Sequence, residues 1–108
     1  MLYHTTDNAG VTEINPSMEQ MRSLIARLDH PEIETTEHPD ITLVHNPSGW
    51  SISLFPSGIV TLENLDEADM APRFMDGITR EEALQLWSDL AKGALTALLE
   101  RNWKQAAD

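Results

Sequence analysis

The sequence predicts one α+β domain: an antiparallel β-meander with helices packed on one of its faces, in the order β(β)-α-β-β-β-α. Three observations favour this fold class. The middle of the chain alternates apolar and hydroxyl residues with a period of two, and a segment on each side of it repeats apolar residues every three or four positions. The length of 108 residues suits a single hydrophobic core. Residues 1–108 are therefore expected to form one domain.

The chain is expected to begin with a hairpin. Residues 2–6 and 11–14 are short β-compatible runs on either side of a turn. That turn contains Asn8 and Gly10, two residue types that tolerate a positive φ. The two runs are therefore expected to pair as antiparallel strands.

The first helix is expected after Pro16. Asn15 or Ser17 can cap it, and Ser17 and Gln20 have the spacing of a capping box. The helix should end near Asp29, because Pro31 disfavours helical geometry at the residue before it. One face is apolar and is expected to pack against another element, through Met18, Met21, Leu24, Ile25 and Leu28. Residues 31–40 follow as a polar, acidic connector that is expected to be exposed.

Three strands joined by tight turns form the predicted meander. They cover residues 41–45, 50–55 and 59–63. Trp50, Ile52 and Leu54 alternate with Ser51 and Ser53, which predicts one buried apolar face and one hydroxyl face. The outer edges of a three-stranded meander would be open to pairing with a second copy, so the sequence leaves both monomer and homodimer open.

The last helix has the clearest start signal in the chain. Thr79 and Glu82 have capping-box spacing, and they follow a second acidic loop, residues 64–77, in which Arg73–Met75 can add a short edge strand. Gly93 predicts a kink or two shorter helices. The apolar stripe of this segment consists of Leu84, Trp87, Ala91, Leu95 and Leu98.

The three tryptophans differ in how well the core accounts for them. Trp50 and Trp87 are in phase with the apolar residues of their elements, so both are expected in the core. Trp103 follows the helical stripe among polar residues, and the sequence leaves it open between packing and partner contact.

The composition excludes several functional classes. Without cysteine the chain has no disulfide, thiolate nucleophile or Cys-based metal site. With 18 Asp and Glu against 7 Lys and Arg, the formal charge is −11, which opposes nucleic-acid binding and favours a basic partner. No segment has the pattern of a leader or a membrane span, so a cytoplasmic protein without a membrane contact is expected.

No residue pattern predicts catalysis. His4, His30, His38 and His45 lack metal-ligand spacing, and the serines lack a Gly-x-Ser-x-Gly motif. A glycine-rich phosphate loop is also missing from the sequence. The chain is therefore expected to be neither an enzyme nor a metal or cofactor binder.

The acidic residues are concentrated in one region. Between Arg27 and Arg73 there is no Lys or Arg, yet this stretch holds half of the acidic residues. A concentrated negative surface steers a positive partner toward it, although it can equally be a solubilising surface that binds nothing. The candidate partner-binding residues are Glu32, Glu34, Glu37 and Asp40 in the first loop and Glu63, Asp66, Glu67 and Asp69 at the second.

A family resemblance supports a binding role. The run Pro16-Ser17-x-x-x-Met21-x-x-Leu24-x-x-x-Leu28-Asp29, with the following strand, Gly49-Trp50, strand pair and closing helix, resembles small bacterial immunity proteins. Such proteins neutralise toxins that polymorphic-toxin, contact-dependent or type VI secretion systems deliver between bacterial cells. The resemblance implies a cytoplasmic inhibitor that occludes its cognate toxin. A nuclease is one toxin class whose basic groove an acidic face would fit.

The alternative is a small adaptor or secretion chaperone that binds its partner through an apolar patch. The methionines favour it, since Met suits adaptable surfaces. They are Met18, Met21, Met70 and Met75, although core packing explains Met18 and Met21 better. Salt separates the two hypotheses, because ionic strength weakens an electrostatic association and has little effect on an apolar one.

Overall fold

The computed structural model describes residues 2–29, 39–67 and 69–105, and it confirms the α+β fold with a β-meander. Its strands are β1 (Tyr3–Thr6), β2 (Thr12–Ile14), β3 (Ile41–His45), β4 (Trp50–Leu54), β5 (Val60–Asn64), β6 (Arg73–Met75) and β7 (Lys104–Gln105). The helices are α1 (Met18–Ala26), which continues into a 3-10 turn (Arg27–Asp29), α2 (Arg80–Ala91) and α3 (Leu95–Leu99). Of the predicted connector over 31–40, residues 31–38 lie outside the described ranges.

All strands belong to one antiparallel sheet, in the order β2-β1-β3-β4-β5-β6-β7. Strands β3 to β6 are neighbours in the same order as in the sequence, and they form the meander. The N-terminal hairpin adds β1 beside β3, and β2 beside β1. The chain therefore leaves the sheet edge at β2, passes through α1 and re-enters the sheet at β3.

The helices cover one face of the sheet. Helix α2 packs on β3 and β4, and α1 packs on α2. The apolar residues that alternate along the central strands point to this side and are almost inaccessible: Ile41, Leu43, Ile52, Leu54, Val60 and Leu62. Trp87 is fully buried among them, and its indole N–H donates to the Ile52 carbonyl at 3.1 Å. The core therefore lies between the central strands and the two longer helices.

Both predicted capping boxes are present. The Gln20 amide donates to the Ser17 hydroxyl at 3.1 Å, and the Ser17 amide donates to the Gln20 side chain at 2.8 Å. Thr79 and Glu82 repeat this arrangement at the start of α2, with both bonds at 3.1 Å. Asn15, the other candidate cap, has φ +48° and accepts the backbone N–H groups of residues 2 and 3 instead. It therefore holds the first strand rather than the helix.

The capping box lowers the pKa of Glu82 below its usual value of 4.5. The backbone N–H of Thr79 donates to the carboxylate, the Thr79 side chain adds a second hydrogen bond, and the charge of Arg101 favours the same ionised form. Because the folded state lowers this pKa, the ionised carboxylate stabilises the fold above its unfolded-state pKa. That contribution is lost as the pH falls through the lowered value.

Glu82→Gln is expected to lower the melting temperature near neutral pH, and this deficit should shrink as the pH falls below 4.5 and vanish below the lowered pKa of the folded state. Glutamine can still accept the Thr79 N–H, so the variant isolates the charge. Thermal unfolding followed by circular dichroism across this pH range measures the difference. Glu81→Gln, in the same helical turn, controls for general loss of an acidic charge. A deficit for Glu82→Gln that does not change with pH would contradict the assignment.

Gly93 divides the C-terminal helical segment into two helices. Of the two predicted alternatives, a kink or two shorter helices, the structure has the second. Helix α2 ends at Ala91, Gly93 has φ +75°, and α3 begins at Leu95. Left-handed geometry at Gly93 closes the first helix because glycine has no Cβ to clash. The side chain of His45 lies beside this position, 3.4 Å from where a Cβ would stand.

The prediction that the meander has open outer edges was wrong. Strand β1 pairs with β3, and β6 pairs with β5, so both edges of the meander are covered. Arg73–Met75 is a strand as predicted, but it is interior, because β7 pairs with it. The sheet edges are instead the three-residue β2 and the two-residue β7. Short edge strands offer few free backbone groups for pairing with a second copy.

Three aromatic and apolar residues differ in part from expectation. Trp50 is only half-buried, although it packs against the core. Met18 is 44% exposed and outside the core, because it occupies the first helical position, where no preceding turn covers it. Trp103 packs against the core, and its indole N–H donates to the Leu98 carbonyl at 2.8 Å. Of the two alternatives for Trp103, the structure therefore favours packing.

No helix in the described ranges combines the length and the apolar character that crossing a membrane requires.

Candidate functional site

Four of the seven described Lys and Arg residues form ion pairs, and their partners are not the candidate carboxylates. The four pairs are Arg27–Asp7 (3.1 Å), Arg80–Asp29 (3.0 Å), Arg101–Asp89 (3.1 Å) and Lys104–Asp76 (3.5 Å). Within the described ranges, none of these pairs includes Asp40, Glu63, Asp66, Glu67 or Asp69. The negative charge of these five residues is therefore not neutralised by the described basic side chains.

The loop that follows β5 is built onto the turn between β3 and β4. The side chain of Asn64 donates to the Ser48 carbonyl at 3.2 Å and accepts the backbone N–H of Asp66 at 2.9 Å. The backbone N–H of Leu65 donates to the Gly49 carbonyl at 2.8 Å. These bonds hold the first acidic residues of the loop at one end of the sheet. Asp66, Glu67 and Asp69 are all exposed there, and Glu63 is half-buried at the end of the strand.

Gly49 makes room for the Asp66 carboxylate. Its φ is +78°, and a Cβ at this position would stand 2.7 Å from Asp66 Cγ. A side chain at residue 49 would thus strain the backbone and displace the carboxylate.

Gly49→Ala is expected to lower the free energy of unfolding by about 1–3 kcal/mol, from left-handed strain and from the clash. In an Asp66→Ala background the strain and the 3.0 Å approach to Asn64 Oδ1 remain, together about 1–2 kcal/mol. Urea unfolding of the four proteins in this double-mutant cycle measures the coupling. Equal losses in both backgrounds would show that Asp66 does not pack against Gly49.

Asp40 lies at the opposite end of the sheet from Glu63. It immediately precedes β3, and its carboxylate is 3.5 Å from the Thr42 hydroxyl. Because β3 and β5 both run antiparallel to β4, the start of β3 is at the other end from the end of β5. Glu32, Glu34 and Glu37, the remaining candidates, lie outside the described residues.

Asp40 and Glu63 share the face of the sheet opposite the described helices, here called the open face. The registers place Thr6, Thr42, Ser53 and Thr61 side by side across four neighbouring strands of this face. The Thr42 and Ser53 hydroxyls are 2.8 Å apart. Ser51 and Ser53 lie on the predicted hydroxyl face, yet they are buried, because these small side chains sit between longer residues of the adjacent strands.

The hydroxyl row was not among the candidate site residues. The alternation of serines with apolar residues in β4 predicts hydroxyls on one face. It does not reveal that threonines of β1, β3 and β5 stand beside them, because register across strands depends on turns and long-range pairing. The sequence therefore shows hydroxyl residues within each strand, but it does not show that they form one row across the strands.

The described part of the chain has shallow depressions rather than a deep cleft. One, of about 310 Å³, lies between the hairpin turn and the start of β3 and is lined by Thr6, residues 7–10, Asp40 and Thr42. Another, of about 270 Å³, lies between the hairpin and α1. Among the described residues, no group of three or more His, Asp or Glu side chains is placed to hold a metal ion.

No protein-family model matches the chain, and neither the curated proteins nor the solved structures contain a significant match to it.

Proposed function

We propose that this chain is an immunity protein that binds and neutralises a basic cognate toxin in the cytoplasm, and that it acts by binding rather than by catalysis. One observation carries the proposal: the carboxylates of Asp66, Glu67 and Asp69 are exposed and take part in none of the described ion pairs, while four described basic residues are paired elsewhere. Unneutralised charge of one sign at the surface attracts a partner of the opposite sign.

The backbone at the start of the acidic loop is also held in place, which supports recognition over simple solubility. Asn64 donates a hydrogen bond to Ser48 and accepts one from the Asp66 N–H, and both fix the first turn of the loop, while Gly49 packs against Asp66. A partner that binds a loop whose backbone is already ordered loses less conformational entropy than one that must order a flexible tail. The basic substrate groove of a nuclease would bind these carboxylates in the way it binds the phosphates of its substrate.

The adaptor alternative rests on exposed apolar side chains. Met70 and Leu65 are exposed in the same acidic loop, and Met18 is exposed on α1, whereas Met21 is in the core. If these side chains dominated binding, the association would be nearly independent of salt. Because Met70 and Leu65 lie among acidic residues, we favour a contact in which their apolar side chains add to an electrostatic attraction.

The test uses the protein encoded by the gene that neighbours the gene for this chain. Co-expression is expected to rescue cells from that protein, and the association rate is expected to fall at least tenfold between about 20 mM and about 500 mM salt. Stopped-flow mixing of the two purified proteins measures the rate. Rescue with a salt-independent rate would favour the adaptor-like contact. Neither rescue nor binding would overturn the proposal.

A further inference from the structure

The open face has one sign of unneutralised charge. Asp40 stands at one end of its central strands and Glu63 at the other. Lys104, the one Lys or Arg of this face in the described ranges, pairs with Asp76 at 3.5 Å, and His4 lies on the same face beside Val44. Arg73 belongs to the other side of the sheet, because it lies beside the core residue Leu62. The remaining described basic residues lie outside the strands, in the helices, their ends and the segments next to them: Arg22, Arg27, Arg80, Lys92 and Arg101.

Apolar side chains surround the hydroxyl row on this face. By strand alternation, four of the most exposed large apolar residues belong to the open face: Leu2, Ile14, Ile59 and Leu65. They stand around its perimeter, at the ends or at the edge of the strands. Exposed apolar side chains that gather on one face, framed by polar groups, mark interaction surfaces. Core residues occupy the alternate positions of the central strands, so the pattern is not a consequence of generally poor burial.

We propose that the open face is the docking surface for a basic protein. That partner would place Lys or Arg side chains opposite Asp40 and Glu63, and apolar side chains opposite the apolar perimeter of the face. The inference rests on the proposed function for the sign of the partner's charge. Charge complementarity selects this occupant: a second copy, with the same formal charge of −11, would be repelled. The half-buried hydroxyls of Thr42 and Thr61 in the middle of the face can form hydrogen bonds with partner side chains.

The area of the open face is smaller than a standard interface, so the partner must also contact surfaces beyond the sheet. Five strands at about 4.8 Å spacing and about five residues of length give roughly 400 Å². A standard interface buries about 800 Å² on each partner. The partner is therefore expected to continue beyond the sheet. At the Glu63 end the next residues are Leu65 and the acidic loop, and at the Asp40 end the next feature is the depression beside the hairpin turn.

The first test needs no toxin. A synthetic peptide of alternating lysine and valine is titrated into protein with ¹³C-labelled methyl groups, at low salt. Methyl signals of Ile14, Val44 and Ile59 on the open face are expected to shift, while that of Met18 on α1 stays unchanged. A peptide with glutamate in place of lysine should produce no shifts. Equal shifts at Met18, or equal effects of both peptides, would overturn the docking surface.

The second test uses matched substitutions. Thr61→Lys places a positive charge in the middle of the open face, and Thr96→Lys makes the same change on the exposed surface of α3. Thr61→Lys is expected to weaken peptide binding at least fivefold, and Thr96→Lys less than twofold. Glu63→Gln serves as a second variant if Thr61→Lys unfolds, since it removes charge with little change in shape. Equal weakening by the open-face and α3 variants would overturn the proposal.

Failure of this inference is distinguishable from failure of the proposed function. If the toxin binds wild type and Thr61→Lys equally, the immunity function stands and the open face is not the docking surface. If the lysine peptide maps to the open face but no toxin is neutralised, the docking surface stands and the immunity function fails.

Discussion

Trp87→Ala is expected to lower the free energy of unfolding by about 3–5 kcal/mol, the largest loss from any single change considered. The indole of Trp87 is fully buried between α2 and the sheet, and its N–H donates to the carbonyl of Ile52 on β4 at 3.1 Å. Alanine would leave a cavity in the middle of the core. A domain of this size is stable by only about 5–15 kcal/mol, so the variant should lose a large part of its stability.

Urea unfolding followed by far-ultraviolet circular dichroism measures this loss. Trp103→Ala is the matched control, because Trp103 also packs against the core and donates to a backbone carbonyl but is only half-buried. It is expected to cost less than half as much, since it removes less apolar area from the interior. If the two variants lost equal stability, Trp87 would not be the centre of the core.

Reversing two loop charges is expected to produce the largest functional effect. Glu67→Lys with Asp69→Lys should slow association with the cognate toxin at least tenfold at low salt, and the difference should vanish at high salt. Both side chains are exposed and take part in no described ion pair, so the fold should lose less than about 0.5 kcal/mol.

A charge-matched variant separates local steering from net charge. Glu19→Lys with Glu100→Lys changes two exposed acidic residues on the helices, and both double variants move the formal charge from −11 to −7, since each replacement adds two positive units. Stopped-flow mixing should show less than a threefold effect for the helix variant. Equal slowing by both double variants would mean that only overall charge matters. Reversal of Glu34 and Glu37 in addition extends the test to the first loop.

Local sequence signals predicted the elements well because each depends on neighbouring residues. The Ser17–Gln20 and Thr79–Glu82 capping boxes set both helix starts, and left-handed glycine at Gly93 separates the last two helices. The alternation in β4 likewise predicts which side chains enter the core. Such signals act over a few residues, so they can be interpreted without the rest of the chain.

Long-range pairing was where sequence reasoning failed. The addition of β1 beside β3, and of β7 beside β6, closes the edges that the meander alone would expose. Neither pairing has a local signal, because hydrogen bonds between strands distant in sequence carry no fixed spacing. For the same reason the hydroxyl row across Thr6, Thr42 and Thr61 could not be read from the separate strands.

The sequence by itself determined the α+β class, the helix starts, the composition of the core and the excess of acidic residues between Arg27 and Arg73. Only the tertiary structure decided which of those charges lie together. It separates Asp40 from Glu63 by the length of the central strands, yet it places both on one face, and it pairs four of the described basic residues with other acids. The physical reason is that composition sets the amount of charge, whereas strand register and packing set its position.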